Sequence, residues 1–144
     1  MALKEEELQK FIVMHISLLE LSYKTNLENK DNLIAPNVDI KYEYKIVESS
    51  KDSPEGTIYT RTHIDVFKNK EGSPFSLSFV LLTDFKSSKD SNRQSLEEFA
   101  SQEAPSIIFP YARELVSHIT SRSIYPTLIL PPFKLQGKKR KKDK

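Results

Sequence analysis

The sequence predicts an α+β fold in which an antiparallel sheet precedes the helices along the chain. Three runs of alternating apolar and polar residues, 38–47, 57–67 and 75–85, are joined by short polar turns. A helical pattern of apolar residues, 107–122, comes only after them. Strands joined by short turns pair as antiparallel neighbours, and strands followed by helices indicate α+β rather than a parallel βαβ arrangement.

The N-terminal part of the chain is ambiguous by its pattern. Residues 11–23, FIVMHISLLELSY, suit a helical period as well as a strand period. We interpret them as a strand that follows a short helix or disordered lead over residues 2–10. Residues 24–37 are rich in Asn, Asp and Lys and end at a proline, which indicates a long connection. Its apolar residues need cover from the domain or from a partner; they are Leu27, Leu33 and Ile34.

The three clear strands each place their apolar residues on one face. The first alternates Val38, Ile40, Tyr42, Tyr44 and Ile46 with charged residues. On the second strand the apolar set is Ile58, Ile64 and Val66, and on the third it is Phe75, Leu77, Phe79, Leu81 and Phe85. Turns are predicted at 49–56 and 69–74 by their composition. Such one-sided strands predict a sheet with one face on the core.

The C-terminal half predicts a broken helical layer and an extended exit. Ser95 to Glu98 matches a capping box, which predicts the start of a first helix. Pro105 and Pro110 predict a break or kink before the main helix, 107–122. That helix carries a one-sided apolar stripe made of Ile108, Tyr111, Leu115 and Ile119. Prolines keep the segment after Ser123 out of a sheet interior; they are Pro126, Pro131 and Pro132.

Length and charge indicate one domain with a distinct tail. The chain has 144 residues, enough for a single core, and we assign residues 1–136 to one domain. Residues 137–144 form a basic tail that we expect to be disordered. Its last seven residues carry six bases and one acid, a charge of +5, so that the rest of the chain is at −3. The basic pI therefore belongs to the tail and does not indicate a nucleic-acid-binding fold.

Composition also bears on compartment and chemistry. The chain has no cysteine, an acidic start and no apolar run of membrane-spanning length, so we expect a soluble cytoplasmic protein without a membrane span. The three glycines are isolated, which excludes glycine-rich phosphate loops. The histidines are scattered and no serine lies in a G-x-S-x-G elbow. We therefore expect no enzyme activity, no metal and no cofactor.

Two segments resemble a known family. The run Phe109-Pro110-Tyr111-Ala112-Arg113-Glu114 is followed by a proline-rich end, Leu128-Ile129-Leu130-Pro131-Pro132. Nearer the N-terminus, Glu20-Leu21-Ser22-Tyr23 ends the first predicted strand. These motifs, in this order of elements, resemble the SecB export-chaperone family from about Phe11 to Leu135.

The resemblance implies a fold, a function and a set of contacts. It implies a four-stranded antiparallel sheet with helices packed on one face, assembled as a dimer of dimers. Family members hold unfolded polypeptides, without ATP or cofactor, in apolar grooves between the crossover loop, the main helix and the sheet. Mapped onto this chain, the client-binding residues are Leu27, Leu33, Ile34, Tyr42, Tyr44, Ile124 and Tyr125. The helix stripe Ile108, Tyr111, Leu115 and Ile119 is assigned to oligomer contacts, and Glu20 to docking on the export motor SecA.

This sequence departs from the family pattern in ways that leave alternatives open. No second helix follows the proline pair, Ser123 replaces the glycine of a turn, and Lys24 and Ser78 stand where the family carries acids that dock SecA. One alternative is therefore a dedicated chaperone that protects the antitoxin of a toxin–antitoxin pair. An alternative of another class, in which the basic tail binds RNA or ribosomes, depends on residues 138–144 alone.

Overall fold

The computed structural model describes residues 11–48, 56–87, 93–131 and 138–139, and it confirms the α+β fold. Its sheet has four antiparallel strands in the spatial order β1-β4-β3-β2. Their bounds are β1 Phe11–Thr25, β2 Val38–Glu48, β3 Gly56–Val66 and β4 Phe75–Ser87. A two-residue strand, β5 (Lys138–Lys139), adds in parallel beside Glu43 and Tyr44 at the β2 edge.

The strands β2, β3 and β4 form the predicted meander, and β1 reaches its place by a crossover. Residues 26–37 carry the chain from the end of β1 across to β2 and include a short 3-10 turn, Leu27–Asn29. β1 then pairs with β4 along its whole length, from Phe11 opposite Ser87 to Thr25 opposite Phe75. The sheet consequently has β1 as one of its edges.

The helical layer begins earlier than the sequence predicts. Helix α1 spans Arg93–Glu98, a π-helical turn spans Phe99–Glu103, and helix α2 spans Ala104–Thr120. The predicted capping box is wrong, because Ser95 lies inside α1 instead of before it. The predicted break before the main helix falls in the π turn, and α2 begins at Ala104 rather than at 107 and runs through Pro110. Proline has no N–H, so Pro110 cannot donate a hydrogen bond to the carbonyl of Ser106, four residues earlier. Both residues are exposed, so water can solvate that carbonyl.

One face of the sheet and the helical layer enclose the core. The most completely buried side chains come from β3, β4 and the helices; they include Ile58, Ile64, Phe75, Phe79, Phe85, Leu96, Phe99, Ile108 and Val116. Phe67, just after β3, is buried in a left-handed backbone conformation (φ 60°), and its N–H bonds the carbonyl of Asn37 at 2.9 Å. That conformation costs a non-glycine residue free energy, which the packing of its ring offsets.

Several predictions fall on residues outside the described part of the chain. These are the lead 2–10, most of the turn 49–56, Pro132, and the tail apart from Lys138 and Lys139. The single domain and the disordered tail therefore stay predictions.

Candidate functional site

The helical layer covers the middle of the sheet and stops before β1. Leu18 on β1 lies directly opposite Leu81 on β4, so both side chains point to the helical side of the sheet. Leu81 is 5% exposed, whereas Leu18 is 46% exposed. The next pair repeats the contrast, because Phe79 is 0% exposed and its partner Leu21 is 44% exposed. The boundary of the covered core thus runs between two adjacent strands.

The uncovered strip on the helical side of β1 is apolar along most of its length. We call it the β1 shelf and define it as Val13, Ile16, Leu18 and Leu21. Val13 is 39% exposed although it lies opposite Phe85, which is fully buried. Ile16, opposite Thr83, is half-buried. Contiguous exposed apolar side chains of this kind mark surfaces that bind other molecules.

Aromatic packing fixes both ends of β1 while its centre stays uncovered. At the first residue, the ring of Phe11 stacks on Phe99 of the π turn, with centroids 4.0 Å apart and planes 6° apart. Near the other end, Tyr23 packs against the buried ring of Phe75 at 5.6 Å. The strand therefore has fixed ends, and the shelf between them is held in place by the sheet rather than by the helices.

The opposite side of β1 is mostly polar, with two exposed apolar side chains. Ile12 is 61% exposed and Leu19 is 52% exposed there, among His15, Ser17, Glu20, Ser22 and Lys24. In the described part of the chain no strand pairs with the outer edge of β1. An exposed apolar edge strand offers unpaired backbone groups together with apolar side chains, which is the combination that recruits another strand.

The crossover loop holds two leucines in solvent on a fixed backbone. Leu27 is 71% exposed and Leu33 is 73% exposed. The loop around them is attached to the β3–β4 turn, since the Asn26 N–H donates to the Pro74 carbonyl at 2.8 Å and the Asn32 side-chain amide donates to the Gly72 carbonyl at 2.9 Å. These leucines are therefore displayed by a hydrogen-bonded loop.

The remaining residues predicted to bind clients divide into two groups. Tyr125 is half-buried against Phe75, and its hydroxyl donates to the Ile34 carbonyl at 3.3 Å, so the structure brings these two predicted residues together. Ile124 is 58% exposed. Tyr42 and Tyr44, at 5% and 6% exposure, lie in the core beneath the helical layer. We therefore leave the two tyrosines out of the candidate surface.

The four residues of the helix stripe assigned to oligomer contacts differ in their burial. Ile108 is fully buried in the core, Tyr111 is 50% exposed, and Leu115 and Ile119 are half-buried. The buried face of α2 instead follows a row spaced by four residues: Ala104, Ile108, Ala112, Val116 and Thr120. Tyr111, Leu115 and Ile119 form the neighbouring row, which remains partly available for a partner.

Sequence reasoning missed the β1 shelf. Its apolar residues do not alternate along the sequence, because register shifts interrupt the pairing of β1 between Val13 and His15 and between Leu18 and Glu20. These shifts place Val13, Ile16, Leu18 and Leu21 on one side although their spacing is not that of a regular strand. The sequence pattern also does not show that this chain leaves the strand at an uncovered edge.

Glu20, the predicted docking residue for SecA, is exposed on the side of the sheet away from the helices. Lys24 lies on that side too, opposite Ser76. Ser78 accepts or donates a 3.0 Å hydrogen bond with His63 Nε2. The side chains around Glu20 are thus of mixed character rather than uniformly acidic.

Two further observations concern the described residues only. Within them, no helix is both long enough and apolar enough to cross a membrane. Likewise, nowhere in the described ranges do three His, Asp or Glu side chains gather in a way that could hold a metal ion.

An α+β domain with one helical layer, an apolar edge strand and leucines displayed on a crossover loop has the architecture of a polypeptide-binding protein. The family comparison agrees with that class: the model of the SecB family, described as preprotein translocase subunit SecB, matches residues 4–137. The chain belongs to the SecB family. Members of this family are chaperones and not enzymes, so we describe the protein as a SecB-like chaperone.

Individual relatives extend the comparison. The uncharacterized protein MJ0357 of Methanocaldococcus jannaschii is 30% identical over 129 residues, which are 88% of this chain and 77% of that protein. The fold is similar to the SecB-like chaperone Rv1957 of Mycobacterium tuberculosis, solved in complex with a ChAD peptide from the HigA1 antitoxin, at TM-score 0.61, 16% identity and coverages of 88% and 93%. It is also similar to a Streptococcus agalactiae protein of unknown function, at TM-score 0.55, 11% identity and coverages of 85% and 97%.

Proposed function

We propose that this protein is an ATP-independent holdase of the cytoplasm that binds unfolded polypeptides on the β1 shelf. The observation that carries the proposal is the contrast between Leu18, 46% exposed, and its covered partner Leu81, 5% exposed. The exposed loop residues Leu27 and Leu33 and the exposed Ile124 extend the apolar surface. The hydrogen bond from the Tyr125 hydroxyl to the Ile34 carbonyl holds the loop against the domain.

The chemistry of this surface suits a client without fixed shape. An unfolded chain offers apolar side chains and unpaired backbone groups in any order. The shelf offers apolar contacts that do not depend on the order of the client's side chains. Covering the exposed half of one leucine contributes about 1 kcal/mol, so several such contacts give useful affinity without a shaped pocket.

We also propose that the chain self-associates as a dimer of dimers. Pairing of two β1 edges uses backbone groups and leaves the side chains of each shelf on the helical side, so that two shelves become neighbours. The partly exposed row Tyr111, Leu115 and Ile119 on α2 is available for the second contact. Such an assembly would lengthen the apolar surface that one client can occupy.

The client class has two candidates. A general holdase binds many unfolded proteins, including secretory precursors handed to SecA through residues such as Glu20. A dedicated chaperone binds one antitoxin, and the Mycobacterium tuberculosis relative in fold is a SecB-like chaperone bound to an antitoxin peptide. Lys24 and Ser78, which stand in place of acids, favour a chaperone that does not depend on SecA. Comparing affinities for a panel of unfolded proteins and an antitoxin segment separates the two.

The proposal is tested by diluting a chemically unfolded, slowly folding client into buffer without nucleotide. We expect near-stoichiometric amounts of the chain to delay refolding, and the delay to be the same when ATP is added. If the folded chain has no effect on several unrelated clients, a general holdase is excluded, and binding of an antitoxin segment alone would establish the dedicated function.

A further inference from the structure

The side of the sheet away from the helices carries a depression of about 640 Å³. Its floor and walls include four apolar or aromatic side chains from four strands: Leu19, Val47, Tyr59 and Leu82. Tyr59 is 48% exposed and Val47 is 41% exposed, so these groups are accessible. The depression lies on the opposite side of the sheet from the β1 shelf and shares no shelf residue with it.

Strand register fixes the polar groups of the depression. His15 lies opposite Asp84, Asp84 opposite Tyr59, and Tyr59 opposite Lys45, so these four residues form one row across the whole sheet. Arg61 lies opposite Leu82 in the next row. Because every one of these residues is on a paired strand, the site is built on the rigid part of the fold.

The charged side chains of the depression differ in whether they already have a partner. Asp84 is paired with His15, whose Nδ1 lies 3.2 Å from a carboxylate oxygen. Arg61 is exposed and has no hydrogen bond or ion pair with any described residue, although Glu43 lies opposite it on β2. Lys45 adds a second cation to the lining. Among the residues that the structure describes, the Arg61 guanidinium is thus unpaired, and it lies next to an apolar floor.

We propose that this depression binds a short peptide segment in which an apolar side chain stands beside an Asp or Glu. The apolar side chain would cover Leu82 and Tyr59, and the carboxylate would pair with Arg61. Asp84, at the other end, would accept a backbone N–H of the same peptide. A fatty acid would fit the floor and the cation but has no donor for Asp84, and a basic peptide would meet Arg61 and Lys45 with like charge.

This second site goes beyond holding unfolded chains. The shelf binds apolar side chains with little contribution from charge. The depression instead binds a segment that carries a negative charge beside an apolar side chain. The two sites lie on opposite sides of the sheet, so one chain can hold a client on the helical side and a partner protein with an acidic-apolar segment on the other.

The test uses two labelled peptides with the same apolar residues, one with Glu and one with Lys at the charged positions, titrated with the full chain by fluorescence anisotropy. The acidic peptide should bind more tightly. Arg61→Glu should weaken it about fivefold or more, the size expected for one exposed ion pair that is lost and replaced by repulsion. The matched control is Lys41→Glu, an exposed cation on the same side of the sheet but outside the depression, which changes net charge equally.

Three results would overturn the proposal: equal affinity for both peptides, no binding of either, or the same loss from Arg61→Glu and Lys41→Glu. Arg61→Ala provides a second variant, and circular dichroism verifies that each variant is folded. A Leu18→Ser/Leu21→Ser variant of the shelf should keep its affinity for the acidic peptide. A failure of the holdase proposal is thereby distinguished from a failure of this one.

Discussion

The hydroxyl of Tyr42 donates a 2.6 Å hydrogen bond to the backbone carbonyl of Ala100, joining the middle of β2 to the π turn of the helical layer. Both residues are buried, at 5% and 0% exposure. Nearby, the Tyr44 hydroxyl donates to Glu97 Oε1 at 3.0 Å. The two tyrosines to which the family resemblance gave a client-binding role therefore attach the helices to the sheet.

Tyr42→Phe should lower the free energy of unfolding by about 1–2 kcal/mol, because it leaves the buried Ala100 carbonyl without a partner. Equilibrium unfolding in urea measures the change. Tyr59→Phe, which removes a hydroxyl from a 48% exposed side chain, serves as the control and should have almost no effect. Equal effects of the two substitutions would contradict the structural role of the Tyr42 bond.

Stability should also fall at alkaline pH in a way that depends on Tyr42. Burial, and secondarily the neighbouring Tyr44, raises the pKa of Tyr42 far above its ordinary value. Above about pH 10 the unfolded chain releases the Tyr42 proton while the folded chain keeps it. The contribution of Tyr42 to the free energy of unfolding is therefore fully present below that pH. Above it, that free energy falls by up to about 1.4 kcal/mol per pH unit. Urea midpoints between about pH 9 and 11.5 should fall more steeply for the wild type than for Tyr42→Phe. Parallel curves would show that Tyr42 ionises normally.

The stack of Phe11 on Phe99 should control the N-terminal end of the shelf. Phe11→Ala removes the ring contact, worth about 1 kcal/mol, and should speed amide hydrogen exchange at residues 11–16 about fivefold. Ile12→Ala, an adjacent residue on the other side of β1 with 61% exposure, is the control and should leave exchange there unchanged. Unaltered exchange in Phe11→Ala would mean that pairing with β4 alone holds this end.

Self-association through the β1 edge should appear in the exchange of its own amides. In an isolated chain, the N–H groups on the outer edge of β1 face solvent and exchange rapidly. If two β1 edges pair, these amides become protected as protein concentration rises, in step with the mass measured by sedimentation. A chain that stays monomeric at all concentrations, with rapid exchange along the β1 edge, would contradict the proposed assembly.

The sequence predicted β2, β3 and β4 well for a physical reason. Each has one largely apolar set, and a one-residue slip in the pairing would move that set to the other side of the sheet, while the short turns limit larger slips. The faces of β1 could not be predicted in this way, because register shifts between Val13 and His15 and between Leu18 and Glu20 break the alternation and put Val13 and Leu18 on the same side. No local pattern signals the π turn at Phe99–Glu103, which depends on packing against β2.

The candidate site was predicted in part. Leu27 and Leu33 stand out as apolar residues in a polar loop, and the structure does expose them. The exposure of β1 depends on how far the helical layer extends across the sheet, which is a property of the assembled domain. For the same reason, the apolar stripe of α2 could be recognised while the burial of Ile108 and the exposure of Tyr111 could not.

If clients are held on the β1 shelf, substituting its exposed leucines should abolish holding. Leu18→Ser/Leu21→Ser removes two leucines that are 46% and 44% exposed on the helical side. Ile12→Ser/Ile129→Ser removes two apolar residues, 61% and 69% exposed, that belong neither to the shelf nor to the depression, and is a matched control. All four side chains are largely solvated, so both variants should remain folded, with stability changed by about 1–2 kcal/mol at most.

The most direct measurement is the refolding rate of an unfolded client in the presence of the wild type and of these two variants at equal concentration. We expect the wild type and Ile12→Ser/Ile129→Ser to delay refolding, and Leu18→Ser/Leu21→Ser to lose most of the delay. Full activity of the Leu18→Ser/Leu21→Ser variant, or equal loss in both, would show that clients are not held on the β1 shelf.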